Sequence, residues 1–212
     1  MVRKAKNRIE STNLNRRPKS PVGFVRWLRK EPNELKKKTL FTGFVFDKLA
    51  RQGVDSYLVG GEAVELYTAG QFATGDIDIT VSDKSKAERL LLQMDFKREG
   101  MIWLNENLGI AVQIVASYPT RTEKARTIEV AGLKVKIEGV EDLIVDRLVS
   151  AKYWRSNPKL DMEQAAVLLG NFKQSLDLNY IRKRASEENV EDYYDEILRL
   201  NRNPKSRKSK SR

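Results

Sequence analysis

The stretch Tyr57-Leu58-Val59-Gly60-Gly61-Glu62-Ala63, followed after a short span by Thr74-Gly75-Asp76-Ile77-Asp78-Ile79, decides the fold. Residues 56–59 have the apolar run of a buried strand, and the two glycines let the chain turn sharply into a helix over 61–69. Ile77, Ile79 and Val81 then alternate with Asp76, Asp78 and Thr80, the period of a half-buried strand. Residues two apart on a strand share a face, so Asp76 and Asp78 project together with Cα atoms about 6.7 Å apart.

Working outward, Leu40, Phe41, Phe44, Val45 and Leu49 recur at helical spacing, which predicts an amphipathic helix over 39–52 that Gly53 ends. Ala87, Leu90, Leu91 and Met94 predict a helix over 84–94. Strands follow at 101–104 and 110–116. Residues 127–137 read as a hairpin with a tight Ala131-Gly132 turn. Beyond Gly139 the pattern is helical, over 140–154, 161–170, 177–187 and 190–201. The expected fold class is α+β: a mixed sheet flanked by helices, followed by a C-terminal helical bundle. In domain terms, 1–38 is a basic, largely disordered arm, 39–138 the core, 139–202 the helical region and 203–212 a basic tail. Within the arm, residues 22–30 form an apolar-basic island able to dock as a helix turn.

Composition narrows the chemistry. The 212 residues are 40% hydrophobic and 33% charged, with a mean hydropathy of −0.56. That is enough apolar material for a core, and no run approaches the roughly 20 residues of a membrane span. A charged N-terminus without an apolar stretch gives no secretory signal, so the expected location is cytoplasmic. The chain has no cysteine and no histidine. Disulfides, thiolate nucleophiles, histidine bases and the commonest zinc ligands are therefore excluded. A metal bound here must sit among oxygen donors, which favours Mg2+ or Mn2+.

The Gly-Gly turn and the D-x-D strand make a coherent site when taken together. Gly60 and Gly61 let backbone N–H groups approach phosphates at a helix N-terminus, where the helix dipole favours negative charge. Asp76 and Asp78 can converge on one or two divalent ions, which would activate a hydroxyl and stabilise a leaving pyrophosphate. Each half alone has a plain structural reading, as a turn or as a solvated strand face. The combination of strand, Gly-Gly, helix and D-x-D strand within one unit points to a nucleoside triphosphate with its magnesium.

This pattern, hydrophobic-Gly-Gly, a helix, then Asp76-Ile77-Asp78-Ile79, resembles the DNA polymerase β-type nucleotidyltransferase superfamily. It is similar in particular to small stand-alone prokaryotic members related to the AbiEii-type toxins. The resemblance spans about 40–172 and includes Glu141-Asp142-Leu143-Ile144-Val145-Asp146-Arg147-Leu148, Ala151-Lys152 and Asp161-Met162-Glu163-Gln164-Ala165. It implies magnesium-dependent transfer of a nucleoside monophosphate, with phosphates at Gly60, Gly61 and Thr74 and metal at Asp76 and Asp78. It also implies, by analogy, a partner protein as in a toxin–antitoxin pair. Two positions depart from the pattern. Where active members carry a third carboxylate on a later strand, the matching segment Ile110-Ala111-Val112-Gln113-Ile114-Val115-Ala116 offers Gln113 as the third metal-site residue. An Arg that relatives place before the Thr is absent from Phe72-Ala73-Thr74. Glu62 adds a negative charge next to the glycines and either points away or serves as a substitute acid.

Charge is concentrated at the ends. Residues 1–38 hold 13 Lys/Arg against three Glu, and residues 199–212 hold seven Lys/Arg and no acid. The middle carries 20 Lys/Arg against 26 Asp/Glu within a net charge of +11. Such ends favour salt-sensitive, sequence-independent binding to RNA or DNA. Arg26, Arg29 and the run Lys36-Lys37-Lys38 are the candidate phosphate contacts, and Trp27 a candidate base-stacking residue. Arg147 and Lys152 are candidates to neutralise triphosphate charge, or else ordinary surface and salt-bridge residues. Two functions remain: a nucleotidyltransferase acting on RNA or another hydroxyl acceptor, and an inactive nucleotide- or nucleic-acid-binding protein of the same fold.

Overall fold

The structure is a computed structural model that describes residues 17–116, 122–154 and 157–202. The chain divides into two units, one running to Thr122 and taking in Arg126–Ile137, the other made of Glu123–Ala125 and Glu138 onward.

The first unit contains α1 (Pro21–Leu28), α2 (Glu34–Ala50), β1 (Ser56–Val59), α3 (Gly60–Tyr67), β2 (Asp76–Val81) and α4 (Lys84–Gln93). It continues through β3 (Lys97–Glu99), β4 (Ile102–Asn105), β5 (Ile110–Ala116), β6 (Arg126–Val130) and β7 (Leu133–Ile137). The seven strands form one mixed sheet in the order β3-β4-β5-β2-β1-β7-β6. β2 lies between β1, to which it is antiparallel, and β5, to which it is parallel. The expected α+β class with a mixed sheet is the one observed. Leu58, Ile77, Ile79 and Val112 are buried with Leu40, Phe41, Phe44 and Leu49 of α2, whereas Val59, Asp76, Asp78, Ala111 and Gln113 are half-buried. Period-two alternation thus assigns the acids to the accessible side of the sheet.

The basic segment before residue 39 is partly a folded element: α1 falls on the apolar-basic island at 22–30, so the ordered part is longer than the reading of 1–38 as a largely disordered arm allows. Ser20 caps α1 by accepting from the Gly23 N–H, and Pro21 occupies its first position. Phe24 and Leu28 are fully buried, and the Phe24 ring lies on Phe44 with centroids 3.8 Å apart and planes 6° from parallel. Burial of these side chains offsets the cost of ordering a charged segment. Helix α2 begins at Glu34 rather than at 39, capped by the Asn33 side chain on the Lys36 N–H. The Lys36-Lys37-Lys38 run is therefore helical. Residues 1–16 of the arm and 203–212 of the tail lie outside the described residues.

β3 was not expected. Its residues Lys97, Arg98 and Glu99 are all exposed, and it is held by antiparallel pairing to β4. The β6–β7 hairpin turns at Ala131-Gly132 as expected, with both residues at positive φ (59° and 70°).

The second unit is helical: α5 (Val140–Val149), α6 (Pro158–Phe172), α7 (Leu178–Glu187) and α8 (Glu191–Arg202). The helix expected over 140–154 changes at Ser150 to a π-turn that runs to Trp154. Leu143, Ile144, Leu148, Ala165, Leu168, Ile181, Tyr194 and Ile197 form its core. Asp142, almost fully buried, accepts from Tyr180 Oη at 2.8 Å and from Arg184 Nε at 3.2 Å. Among the described residues, no helix is long and apolar enough to cross a membrane.

Candidate active site

The turn from β1 into α3 requires both glycines, for different reasons. Gly60 has φ +64°, a conformation costly for residues with a Cβ, and a Cβ there would fall 2.5 Å from Oδ2 of Asp78. Gly61 faces the other side of the site, where a Cβ would fall 2.8 Å from Oγ1 of Thr74. The motif's two halves are therefore in contact: one glycine under each end of the Thr74–Asp78 segment. Val59, the N-cap of α3, offers no side-chain cap, so the first N–H groups of this helix have no side-chain acceptor from the cap residue. This is the arrangement that accepts a phosphate oxygen.

On β2 the register fixes the neighbours. Asp78 pairs with Val59 of β1 and with Gln113 of β5, and Asp76 pairs with Ala111. Gln113 therefore lies beside Asp78 on the same face, on the strand where it was expected. The Thr74 hydroxyl is 3.5 Å from Oδ1 of Asp76. Asp76, Asp78 and Gln113 together present hard oxygen donors, a set suited to Mg2+ or Mn2+. Among the described residues no group of three or more acids gathers at one point to hold a metal. Two carboxylates balance the charge of one divalent cation.

Glu62 points away from this face. It is completely buried, and Oε2 lies 2.5 Å from Nζ of Lys38. The choice left open for Glu62 resolves toward the interior, so it is not a substitute acid. Burial raises its pKa to about 8, with the Lys38 ammonium pulling the other way and Glu65 adding to the rise.

The remaining predicted residues fall into distinct surroundings. Lys36 and Lys38 are buried and paired with acids, Lys36 at 3.0 Å from Glu31 and Lys38 at 2.5 Å from both Glu62 and Glu65. This corrects their assignment as nucleic-acid contacts, because a buried ammonium committed to carboxylates is not presented to phosphate. Lys37 pairs with Glu34 one turn back, at 2.6 Å. Arg26 on α1 and Arg29 at its C-cap are exposed, and Trp27 is half-buried with its ring tilted 36° against Phe24. In the second unit, Arg147 approaches Asp161 at 3.4 Å, and Lys152 donates to the Asn189 carbonyl and to Asp192 at 3.0 Å. Asp192 first of all holds the Lys152 pKa above its ordinary value. These are the salt-bridge alternatives weighed for both residues.

No protein-family model matches the chain, and no curated protein matches it in sequence. Solved structures do. The chain is similar to an antigenic nucleotidyltransferase-like protein from Paracoccidioides brasiliensis at 17% identity and a TM-score of 0.53, over 79% of this chain and 93% of that one. It is also similar to the antibiotic-resistance factor ANT(2'')-Ia at 12% identity and a TM-score of 0.50, over 79% of this chain and 97% of that one. At these identities the likeness is one of fold, and function has to be argued from the site.

Proposed function

We propose that the protein is a nucleotidyltransferase that moves a nucleoside monophosphate from a nucleoside triphosphate to a hydroxyl acceptor. The observation that carries this reading is the contact between the Gly60-Gly61 turn and the Thr74–Asp78 segment, which brings a phosphate-accepting helix start against two carboxylates. The nucleotidyltransferase-like fold of both solved neighbours supports it.

In this reading the N–H groups at Gly60 and Gly61 and the Thr74 hydroxyl hold the phosphates, while Asp76 and Asp78, with the Gln113 amide oxygen, hold Mg2+ or Mn2+. The metal, when bound, supplies Lewis-acid stabilisation of charge on the transferring phosphate. The acceptor oxygen attacks the α-phosphorus, the bond from that phosphorus to the bridging oxygen breaks, and pyrophosphate leaves. The acceptor proton goes to solvent, because Gln113 is a neutral amide and takes no proton. The N–H groups of the Gly60-Gly61 turn and the Thr74 hydroxyl would orient the phosphates for in-line displacement, with Asp76 and Asp78 holding the cation beside them. A cytoplasmic setting, with its nucleoside triphosphates, fits this chemistry.

The acceptor we infer is RNA, on the strength of the basic ends and of Arg26 and Trp27 on α1 with Arg29 at its C-cap. A polyanion held this way binds less tightly as salt rises, by a steep power of salt concentration. A partner protein enters only through the toxin-related resemblance.

The test is incorporation of each labelled nucleoside triphosphate into total RNA with Mg2+ or Mn2+, the wild type beside Asp76→Ala. Label transferred by the wild type and lost in the variant supports the enzyme. A second reading, a nucleotide- or RNA-binding protein without turnover, is favoured by one observation: Gln113 rather than an acid in register with Asp78. Binding without label incorporation would select it.

A further inference from the structure

Behind the candidate site lies a buried charge cluster that the proposed chemistry does not use. Lys38 of α2, with Glu62 and Glu65 of α3, have side chains only 9%, 0% and 6% exposed. The Lys38 ammonium donates to Oε2 of Glu65 at 2.5 Å and to the Thr74 carbonyl at 3.2 Å, and Oε2 of Glu62 lies 2.5 Å away as an ion-pair contact. Glu65 Oε2 in turn accepts the Thr74 N–H at 3.0 Å. Both backbone polar groups of Thr74 therefore end on the Lys38–Glu65 pair.

Stability alone does not account for such a cluster. Burying an ion costs several kcal/mol after relaxation, and well-packed apolar replacements of buried ion pairs are often neutral or stabilising. Position accounts for it better. The segment from Thr68 to Gly75 has no helical or strand structure, and a Cβ at Gly75 would meet nothing within 4 Å. The restraint on where β2 begins thus comes from Thr74. That residue is also the one whose hydroxyl stands 3.5 Å from Asp76 and would lie 2.8 Å from a Cβ at position 61.

We propose that Lys38 and Glu65 are positioning residues: by gripping the Thr74 backbone from both sides they set the orientation of Asp76 toward a divalent cation, and Glu62 confines the ammonium. This rests on the reading of Asp76 as a metal ligand. Partners bonded directly to metal ligands typically change metal affinity by about 10- to 100-fold when removed, and Lys38 and Glu65 act one contact further out, through Thr74.

The experiment compares wild type with Lys38→Met, Lys38→Arg and Glu65→Gln by two readouts, Mn2+ binding by electron paramagnetic resonance and amide hydrogen exchange by NMR. In Lys38→Met the Mn2+ dissociation constant should rise by up to about 10-fold. The Thr74 amide should exchange faster, while the Leu58 and Ile79 amides keep the protection of the core strands. Lys38→Arg should restore part of both effects. Glu65→Gln, which keeps an acceptor oxygen, should loosen Thr74 less and serves if Lys38→Met does not fold. Wild-type Mn2+ binding with unchanged affinity and unchanged Thr74 exchange in the variants overturns this inference alone. A wild type that binds no Mn2+ overturns the functional reading and this inference with it.

Discussion

A Cβ at Gly60 would stand 2.5 Å from Oδ2 of Asp78, so glycine at 60 and aspartate at 78 are a matched pair. Gly60→Ala must either push the carboxylate off its place or distort a turn that already needs φ +64°. The expected cost is about 1–3 kcal/mol in folding stability, read by urea unfolding. Mn2+ binding should weaken as well. An unchanged midpoint with unchanged binding would show that the turn and the acid are independent.

Gln113→Asp should tighten divalent-ion binding, because it adds a carboxylate in register with Asp78. By calorimetry the Mn2+ dissociation constant should fall, and transfer of label should rise beside it. Tighter metal binding with no rise in transfer would favour the reading without turnover.

Glu62 makes stability depend on pH. Its pKa is about 8 in the folded protein, raised first by burial. The folded state therefore holds a proton that the unfolded chain, with an ordinary carboxylate, releases at lower pH. This contribution is fully present below the unfolded value and is lost as pH rises through the folded one. Stability should fall across about pH 5 to 8, with a slope of at most about 1.4 kcal/mol per pH unit. The Lys38 pKa is shifted upward, so its contribution is lost only in strongly alkaline solution. Denaturant unfolding across that window should give a sloping profile for wild type and a flatter one for Glu62→Gln. Parallel profiles would remove Glu62 as the titrating group.

Phe24→Ala should unfold more than the segment it belongs to. The ring is fully buried and stacked on Phe44. Loss of about 3–5 kcal/mol is expected for an aromatic truncation in a core, measured by thermal or urea unfolding. A loss under about 0.5 kcal/mol would return 21–28 to the status of a tethered arm.

Much of the site was legible because it is written in local patterns. Alternation over 76–81 assigns the acids to one face, whereas Gln113 is reached through the family resemblance, as the polar residue among the apolar neighbours of 110–116. The apolar-basic island at 22–30 marks the place of α1, and Ser20-Pro21 just before it has the form of a helix start. What stayed hidden depends on distant partners. Nothing near Lys38 announces that it will meet Glu62, Glu65 and Thr74, and a run of three lysines reads as solvated until those acids are placed. β3 has no apolar residue to mark it and exists through its pairing with β4. The π-turn at Ser150–Trp154 likewise breaks a pattern that reads as one continuous helix.

The parallel pairing of β1 with β7 bears on the order in which the chain assembles. The strands that carry the candidate site, β1, β2 and β5, all lie within residues 56–116, whereas β7 reaches β1 through the Leu58–Ile137 register. In N- to C-terminal synthesis the site's strands leave the ribosome ahead of the hairpin that closes one side of β1. Until residue 137 arrives, β1 is an open edge, the kind of surface that pairs with another chain. A nascent or truncated chain ending before Leu133 would carry a nearly complete site and an adhesive flank.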